Sequence, residues 1–371
     1  AVPGTLAGEL AATRAQYDRW FEQMGELGIN TLRIYTLHYP RFYEALLAYN
    51  QAHPRAPLYV LHGVWLDEEN PSRDLFAMTD AFDAGIREVV DCAHGHCTIS
   101  ERRGRAFGSY RAEVSPYVLG GIIGREVSAR EIAVTNEAHV ELDRYTGAAV
   151  SITGVKASEA WFTARLDTLL RHEREQYRVQ RPSSVSSWPT LDPLKHPSES
   201  AGSQEDSQSM DLEGIDTDNA PGGYFASYHA YPYYPDFMTR DPAYLDTRDR
   251  EGLNPYYAYL LDLKQHYASH PLLVAEFGVP TSWGNAHAGA AGMSHGGENE
   301  AEQGRFAARQ LQNIFDAGCA GGAFFAWLDE WWKRSWIVDE LAFPRAHYPL
   351  WHNVTSPEQN FGLIGLDLPA A

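Results

Sequence analysis

LLVAEFGVP, residues 272–280, is the stretch on which the fold turns. Four small or apolar residues run into Glu276, and Gly278 and Pro280 then stop the extended run. This places a carboxylate at the carboxyl end of a short apolar strand. An unpaired buried carboxylate is costly, and the catalytic groups of an α/β barrel come from such strand ends, so Glu276 reads as chemistry. A buried ion pair is the purely structural alternative.

On either side of this stretch, short β-rich runs alternate with longer amphipathic segments along the chain, the pattern of successive βα units on a parallel sheet. Seven strands are expected: Thr31 to Thr36, Leu58 to Val64, Tyr117 to Gly124, Ser183 to Trp188, Tyr224 to Tyr231, Leu272 to Phe277 and Gly322 to Leu328. Helices are expected over Leu10 to Leu27, Arg41 to Gln51, Met78 to His94, Ser158 to Val179, Pro255 to Ser269 and Glu300 to Ala317. A closed (β/α)8 TIM barrel needs an eighth strand before the first helix. It is either a stub around Ala1 to Thr5 or contributed by upstream residues, which would make the chain part of a longer polypeptide. A seven-stranded open sheet is the alternative. The barrel is favoured because nearly all these runs end in polar or aromatic residues, where βα loops build a site.

A length of 371 residues with 44% apolar content suits one large core, so residues 1–371 are expected to form a single barrel domain. With 49 acidic against 30 basic residues, the formal charge of −19 argues against nucleic acid and for a neutral or cationic substrate. No apolar run reaches the ~18 residues a spanning helix needs, so no membrane insertion is expected. Ten Trp and 21 Tyr provide rings suited both to core packing and to stacking on sugars. Three cysteines, Cys92, Cys97 and Cys319, exclude a disulfide framework but leave a Cys92–Cys97 bridge open. The run from Cys92 to Cys97, with His94 and His96, is too compact for the usual paired metal-ligand spacing. Residues 197–223 read as a long acidic loop; its carboxylates, Glu199, Glu205, Asp206, Asp211, Glu213, Asp216 and Asp218, are taken as solvated rather than as a calcium site.

A glycosidase needs two carboxylates, one to protonate the leaving oxygen and one to attack the anomeric carbon or activate water. Two residues compete to partner Glu276. VLGGIIGREV places Glu126 just after a strand-like run, and EIAVTNEAHV places Glu137, preceded by Asn136, after another. Only about five residues separate the runs, too few for a crossover helix, so one of the two must lie off the sheet.

The order of these strand-end residues resembles clan A of the retaining β-glycosidases, whose acid/base ends strand four and whose nucleophile ends strand seven. Allowing for a first strand, Glu126 falls on the fourth and Glu276 on the seventh, 276 − 126 = 150 residues apart. GREVS, SSWPTLDPLKHP, YFASYHAYPYYPDF, VAEFGVPTSWG, FFAWLDEWWK and PEQNFGL are similar to a group of bacterial clan A-like barrel domains, some of which accompany polysaccharide-handling modules. That group carries its strand-four carboxylate in Gly-Arg-Glu, which favours Glu126 over Glu137. One departure stands out: clan A has Asn before the acid/base to contact the sugar 2-hydroxyl, and here Arg125 holds that place, with donors but no acceptor.

The resemblance implies further site residues. Arg33 matches the strand-two Arg that would hold the nucleophile ionised. His229 and Tyr231 would hydrogen-bond the nucleophile or the substrate, and Trp327 would floor the sugar site. Tyr35, His62, Trp188 and Asp192 are further cleft candidates. WLDEWWKRSW sets tryptophans beside Asp329, Glu330 and Lys333, the makings of an oligosaccharide subsite. The expected function is a retaining β-glycoside hydrolase or transglycosylase, needing no cofactor, with carboxyl groups ~5–5.5 Å apart. A non-catalytic carbohydrate-binding barrel is the first rival. A metal-dependent barrel using His62, His229 and Glu276 is the second, although no H-E-x-x-H motif occurs. A location outside the cytoplasm, or at a membrane through segments not in this chain, is favoured over a cytoplasmic one.

Overall fold

The computed structural model describes residues 12–199, 207–330, 333 and 356–365. These form two compact units. One holds the described residues of Leu10–Pro193 and Ser207–Ser227. In it α1 (Arg14–Glu26), β1 (Thr31–Ile34), α2 (Pro40–Ala52), β2 (Tyr59–Val64), α3 (Thr79–Ala93), β3 (Val118–Ile123), α4 (Ala129–Ala138), α5 (Ala157–Tyr177) and β4 (Ser183–Ser187) follow one another. The short strand β5 (Ala226–His229) leads out of this unit. The other unit holds the described residues of Leu194–Asp206 and Tyr228–Ala371, with the one-turn helices α6 (Phe237–Arg240) and α7 (Pro242–Leu245), then α8 (Pro255–His266), β6 (Leu272–Phe277), α9 (Glu300–Asp316) and β7 (Gly321–Phe324).

The seven strands form one parallel sheet in chain order, β1 to β7. Ile34 pairs with His62, Gly63 with Ile122, Ile123 with Val185, and Leu273 with Gly321. Strands and helices alternate as the hydrophobic pattern predicts, and every expected strand and helix is present within a few residues of its expected bounds. An eighth strand around Ala1 to Thr5 falls outside the described residues, as do Trp331, Trp332, Trp336, Glu205 and Asp206.

Local chemistry sets where the helices start. Thr13 with Gln16, Ser128 with Glu131 and Asn299 with Glu302 form reciprocal capping boxes that satisfy the first orphan N–H groups of α1, α4 and α9. Pro40 and Pro255 open α2 and α8, where a missing N–H costs nothing. Gly63 in β2 is there for space: a Cβ would lie 2.5 Å from the carbonyl oxygens of Ile34 and Tyr35.

The structure corrects one reading and adds two hairpins. EIAVTNEAHV is helical: Glu137 sits on the exposed side of α4, and the Asn136 side chain accepts from the Ser158 N–H at 2.9 Å. Short antiparallel hairpins, Cys97–Ile99 with Gly108–Tyr110 and Arg144–Thr146 with Ser151–Thr153, interrupt the βα repeat. All three cysteines are free thiols; Cys92 and Cys97 lie within hydrogen-bonding reach of each other. In the acidic segment, Asp211 and Asp216 accept from the backbone N–H groups of Glu213 and Asp218, both at 2.9 Å, forming local turns. Among the described residues no helix is long and apolar enough to cross a membrane.

Candidate active site

β6 is buried along its length, with Leu272, Val274, Ala275 and Phe277 at 3% exposure or less, and Glu276 emerges near its carboxyl end at 8%. The carboxylate is gripped at both oxygens. Tyr231 Oη donates to Oε2 at 2.7 Å, and His229 Nε2 lies 3.3 Å from Oε1. His229 ends β5 and Tyr231 follows two residues later, while Ala230 N donates to the Glu276 carbonyl at 3.0 Å. The backbone pairing of the two strands thus sets the side-chain pairing. Tyr231 in turn stands on an aromatic bed: its ring lies 5.6 Å from Tyr233 and 5.7 Å from Phe361, in a cluster with Val279, Met293 and Phe306. A phenol so packed loses little entropy in holding its hydrogen bond.

The loop after β7 faces the same cluster. The Lys333 ammonium sits 4.3 Å above the Phe325 ring, 3.0 Å from Glu330 Oε2 and 3.9 Å from Glu358 Oε2. Burial alone would pull this ammonium down, but Glu330, Glu358 and Glu276 outweigh it and hold the group above its ordinary value. Trp327 lies three residues past β7 and is half-buried; among the described residues its enclosed indole N–H makes no hydrogen bond. Asp329 is an anchor: it accepts from the Asn360 side chain and the Gly362 N–H, both at 2.9 Å. Its carboxyl is raised by burial, against those two donors. Asp329 and Glu330, expected as sugar contacts, thus tie to Asn360 and Gly362 and to Lys333 respectively.

In the unit that carries Glu126, the decisive local feature is Arg125. Its Nε donates to Leu66 O at 3.1 Å, Nη1 to Glu126 O at 3.0 Å and Glu131 Oε2 at 3.2 Å, and Nη2 to Glu131 Oε1 at 2.8 Å and Asp67 O at 3.4 Å. All five N–H groups are spent, so Arg125 does not replace the 2-hydroxyl contact that Asn makes in the resembled clan. It clamps the turn after β3 to the loop after β2 and to the first turn of α4. Gly124, at φ +91°, makes the bend that puts Arg125 inside and Glu126 outside. Glu126 is exposed just past β3, on a backbone fixed from both sides, and Trp188 Nε1, beyond β4, donates to the next carbonyl, Val127 O, at 2.9 Å.

Other expected residues divide between site and core. Arg33 lies 4.5 Å over the Tyr35 ring and its Nη2 reaches Ser186 Oγ at 3.4 Å. Tyr35 meets Trp65, directly after β2 and 39% exposed, edge-on at 6.1 Å. His62 is structural. Its Nδ1–H donates to Gly63 O at 3.0 Å and its Nε2 accepts from Tyr43 Oη at 2.7 Å, while burial lowers the imidazole to about 4. With both nitrogens engaged it offers nothing to a metal. Asp192 is buried at 3%.

No protein-family model matches the sequence, and no curated protein matches it by sequence. Solved structures do match in shape. An endo-laminarinase from Formosa Hel1_33_131 aligns over 96% of this chain and 79% of its own, at TM-score 0.53 and 16% identity. The exo-beta-1,4-mannosidase Op5Man5 from Opitutaceae bacterium strain TAV5 covers 95% of this chain and 52% of its own, at TM-score 0.48 and 14% identity. The chain has an α/β fold of the TIM-barrel class, like that of the endo-laminarinase.

Proposed function

We propose that the protein is a retaining β-glycoside hydrolase acting on a neutral β-linked oligo- or polysaccharide, with Glu276 as nucleophile and Glu126 as acid/base. The observation that carries this reading is Glu276 itself: a carboxylate at the carboxyl end of a buried strand, oriented by His229 and Tyr231. The likeness in fold to an endo-laminarinase supports the same class.

In the first step Glu276 attacks the anomeric carbon while Glu126, protonated, gives its proton to the departing glycosidic oxygen. A covalent glycosyl ester forms and the aglycone leaves as an alcohol. In the second step Glu126, now a carboxylate, takes a proton from water or an acceptor sugar, whose oxygen displaces Glu276. The tyrosine hydrogen bond orients the carboxylate for the attack that the first step needs. Exposed Glu126 meets solvent, the source of the second-step water. Trp327, half-buried three residues past β7, would floor the sugar site.

The test is a panel of laminarin, mixed-linkage β-glucan, β-1,4-mannan and aryl β-glycosides. Wild type should cleave at least one, and Glu276→Gln should lower kcat/KM by at least about a thousandfold. For Glu126→Ala, added azide should restore turnover of an activated aryl glycoside and yield the β-glycosyl azide. Both variants cleaving at the wild-type rate would remove the assignment.

A further inference from the structure

One large side chain near the nucleophile strand is set against the usual rule for apolar groups. Trp283 is 89% exposed and makes no ring contact, hydrogen bond or ion pair with any described residue. An isolated exposed Leu or Val needs no explanation, but a bare indole forgoes a large burial and is a common anchor for ligands.

Its setting is rigid. The neighbouring Ser282 is fully buried, its Oγ accepting from Asn360 N at 3.0 Å and its carbonyl from Gly297 N at 2.7 Å. Thr281 N donates to Asn360 O at 2.8 Å, and Asn360 Nδ2 reaches Asp329, so this loop is tied to the one after β7. On the far side Ala286 N donates to His295 O at 3.0 Å, and the His287 and His295 rings stack at 5.6 Å. His295 also stacks on Tyr233 and pairs with Glu358 at 3.1 Å. The backbone bearing the indole is thus braced on both sides, so binding there orders little main chain, which is how an aromatic platform gains affinity. Its position along the chain is apt, since 283 − 276 = 7 residues separate it from the nucleophile, at most about 25 Å of extended backbone.

We propose that Trp283 is a sugar-stacking subsite that binds a neutral β-linked glycan at a residue beyond the one being cleaved, so that the protein favours long substrates over short ones. This rests on the glycosidase reading above. A pyranose presents an apolar face of axial C–H groups that an indole covers, and the net charge of −19 disfavours an anionic chain.

The experiment compares Trp283→Ala and Trp283→Phe with wild type, on laminarin and β-1,4-mannan and on aryl β-monoglycosides. Native gels containing each polysaccharide are run in parallel. The alanine variant should lose about tenfold in kcat/KM on the polysaccharide that wild type cleaves. Its activity on the aryl glycoside should stay within about twofold, its mobility in the polysaccharide gel should rise, and phenylalanine should recover part of each loss. Equal losses on long and short substrates, or none, would overturn the subsite. Should wild type cleave nothing yet be retarded by a polysaccharide through Trp283, the subsite stands and the glycosidase reading fails. Neither cleavage nor retardation would sink both.

Discussion

A carboxylate proposed to attack an anomeric carbon must be oriented, and at Glu276 that orientation has a named source. Tyr231 Oη donates to one oxygen and His229 Nε2 lies 3.3 Å from the other, at the carboxyl end of β6. Tyr231→Phe removes one donor and keeps the ring packing. It should lower kcat/KM by about 10- to 100-fold with the melting temperature nearly unchanged, as steady-state kinetics and calorimetry would check. Arg125 carries a different role. Arg125→Gln leaves Glu131 buried at 7% without its counter-ion, and should cost about 3–5 kcal/mol in a denaturant titration. Burial would raise Glu131, but the Arg125 guanidinium and the Ser128 N–H outweigh it and hold the carboxyl below its ordinary value. Its contribution is therefore present above the ordinary carboxylate range and lost as pH falls through the depressed value, so the cost of Arg125→Gln should shrink in acid. The place of Glu276 near the end of a buried strand was legible because LLVAEF is an apolar run with a single carboxylate. The ties of Arg125 to Glu131, Asp329 to Asn360 and Glu330 to Lys333 were not legible, since residue type gives donors and acceptors but not the partners the fold brings to them.

At the scale of elements, the parallel strands were legible because short buried strands read as uniform apolar or small runs, and the helices because of their amphipathic period. The two hairpins were not, being three residues per strand. Helix α4 was misread because EIAVT is rich in β-branched residues; its capping box, Ser128 to Glu131, was the signal that could have settled it. Gly63→Ala should destabilise by about 1–3 kcal/mol, since the new methyl meets two backbone oxygens of the β1 end that cannot swing aside. The loop bearing Trp283 is closed by Glu298, 8% exposed, whose Oε1 accepts from Ser294 N at 2.7 Å. Burial raises its carboxyl to about 7, against that hydrogen bond. The folded state then holds a proton that the unfolded chain releases near 4.5, so stability falls as pH rises from about 4.5 to 7 and is flat beyond. Glu298→Gln should accordingly raise the melting temperature at pH 8 and do little at pH 5; equal shifts at both would contradict it.

Across the whole molecule, the alternation of strand and helix was visible from end to end, and the shape match to an endo-laminarinase at only 16% identity shows how little residue identity that pattern needs. The sugar and linkage were not legible, because loops shape the pocket and their conformations follow from contacts such as Asn360 with Ser282, 78 residues apart. The central claim is covalent catalysis by Glu276, and trapping tests it most directly. Wild type is incubated with 2-deoxy-2-fluoro-β-glycosyl fluorides of the gluco and manno series, then digested and mapped by mass spectrometry. The account predicts one fluoroglycosyl adduct, on Glu276, with activity lost in step with labelling. Labelling at another carboxylate, or turnover of a natural substrate that releases the α-anomer first, would contradict it.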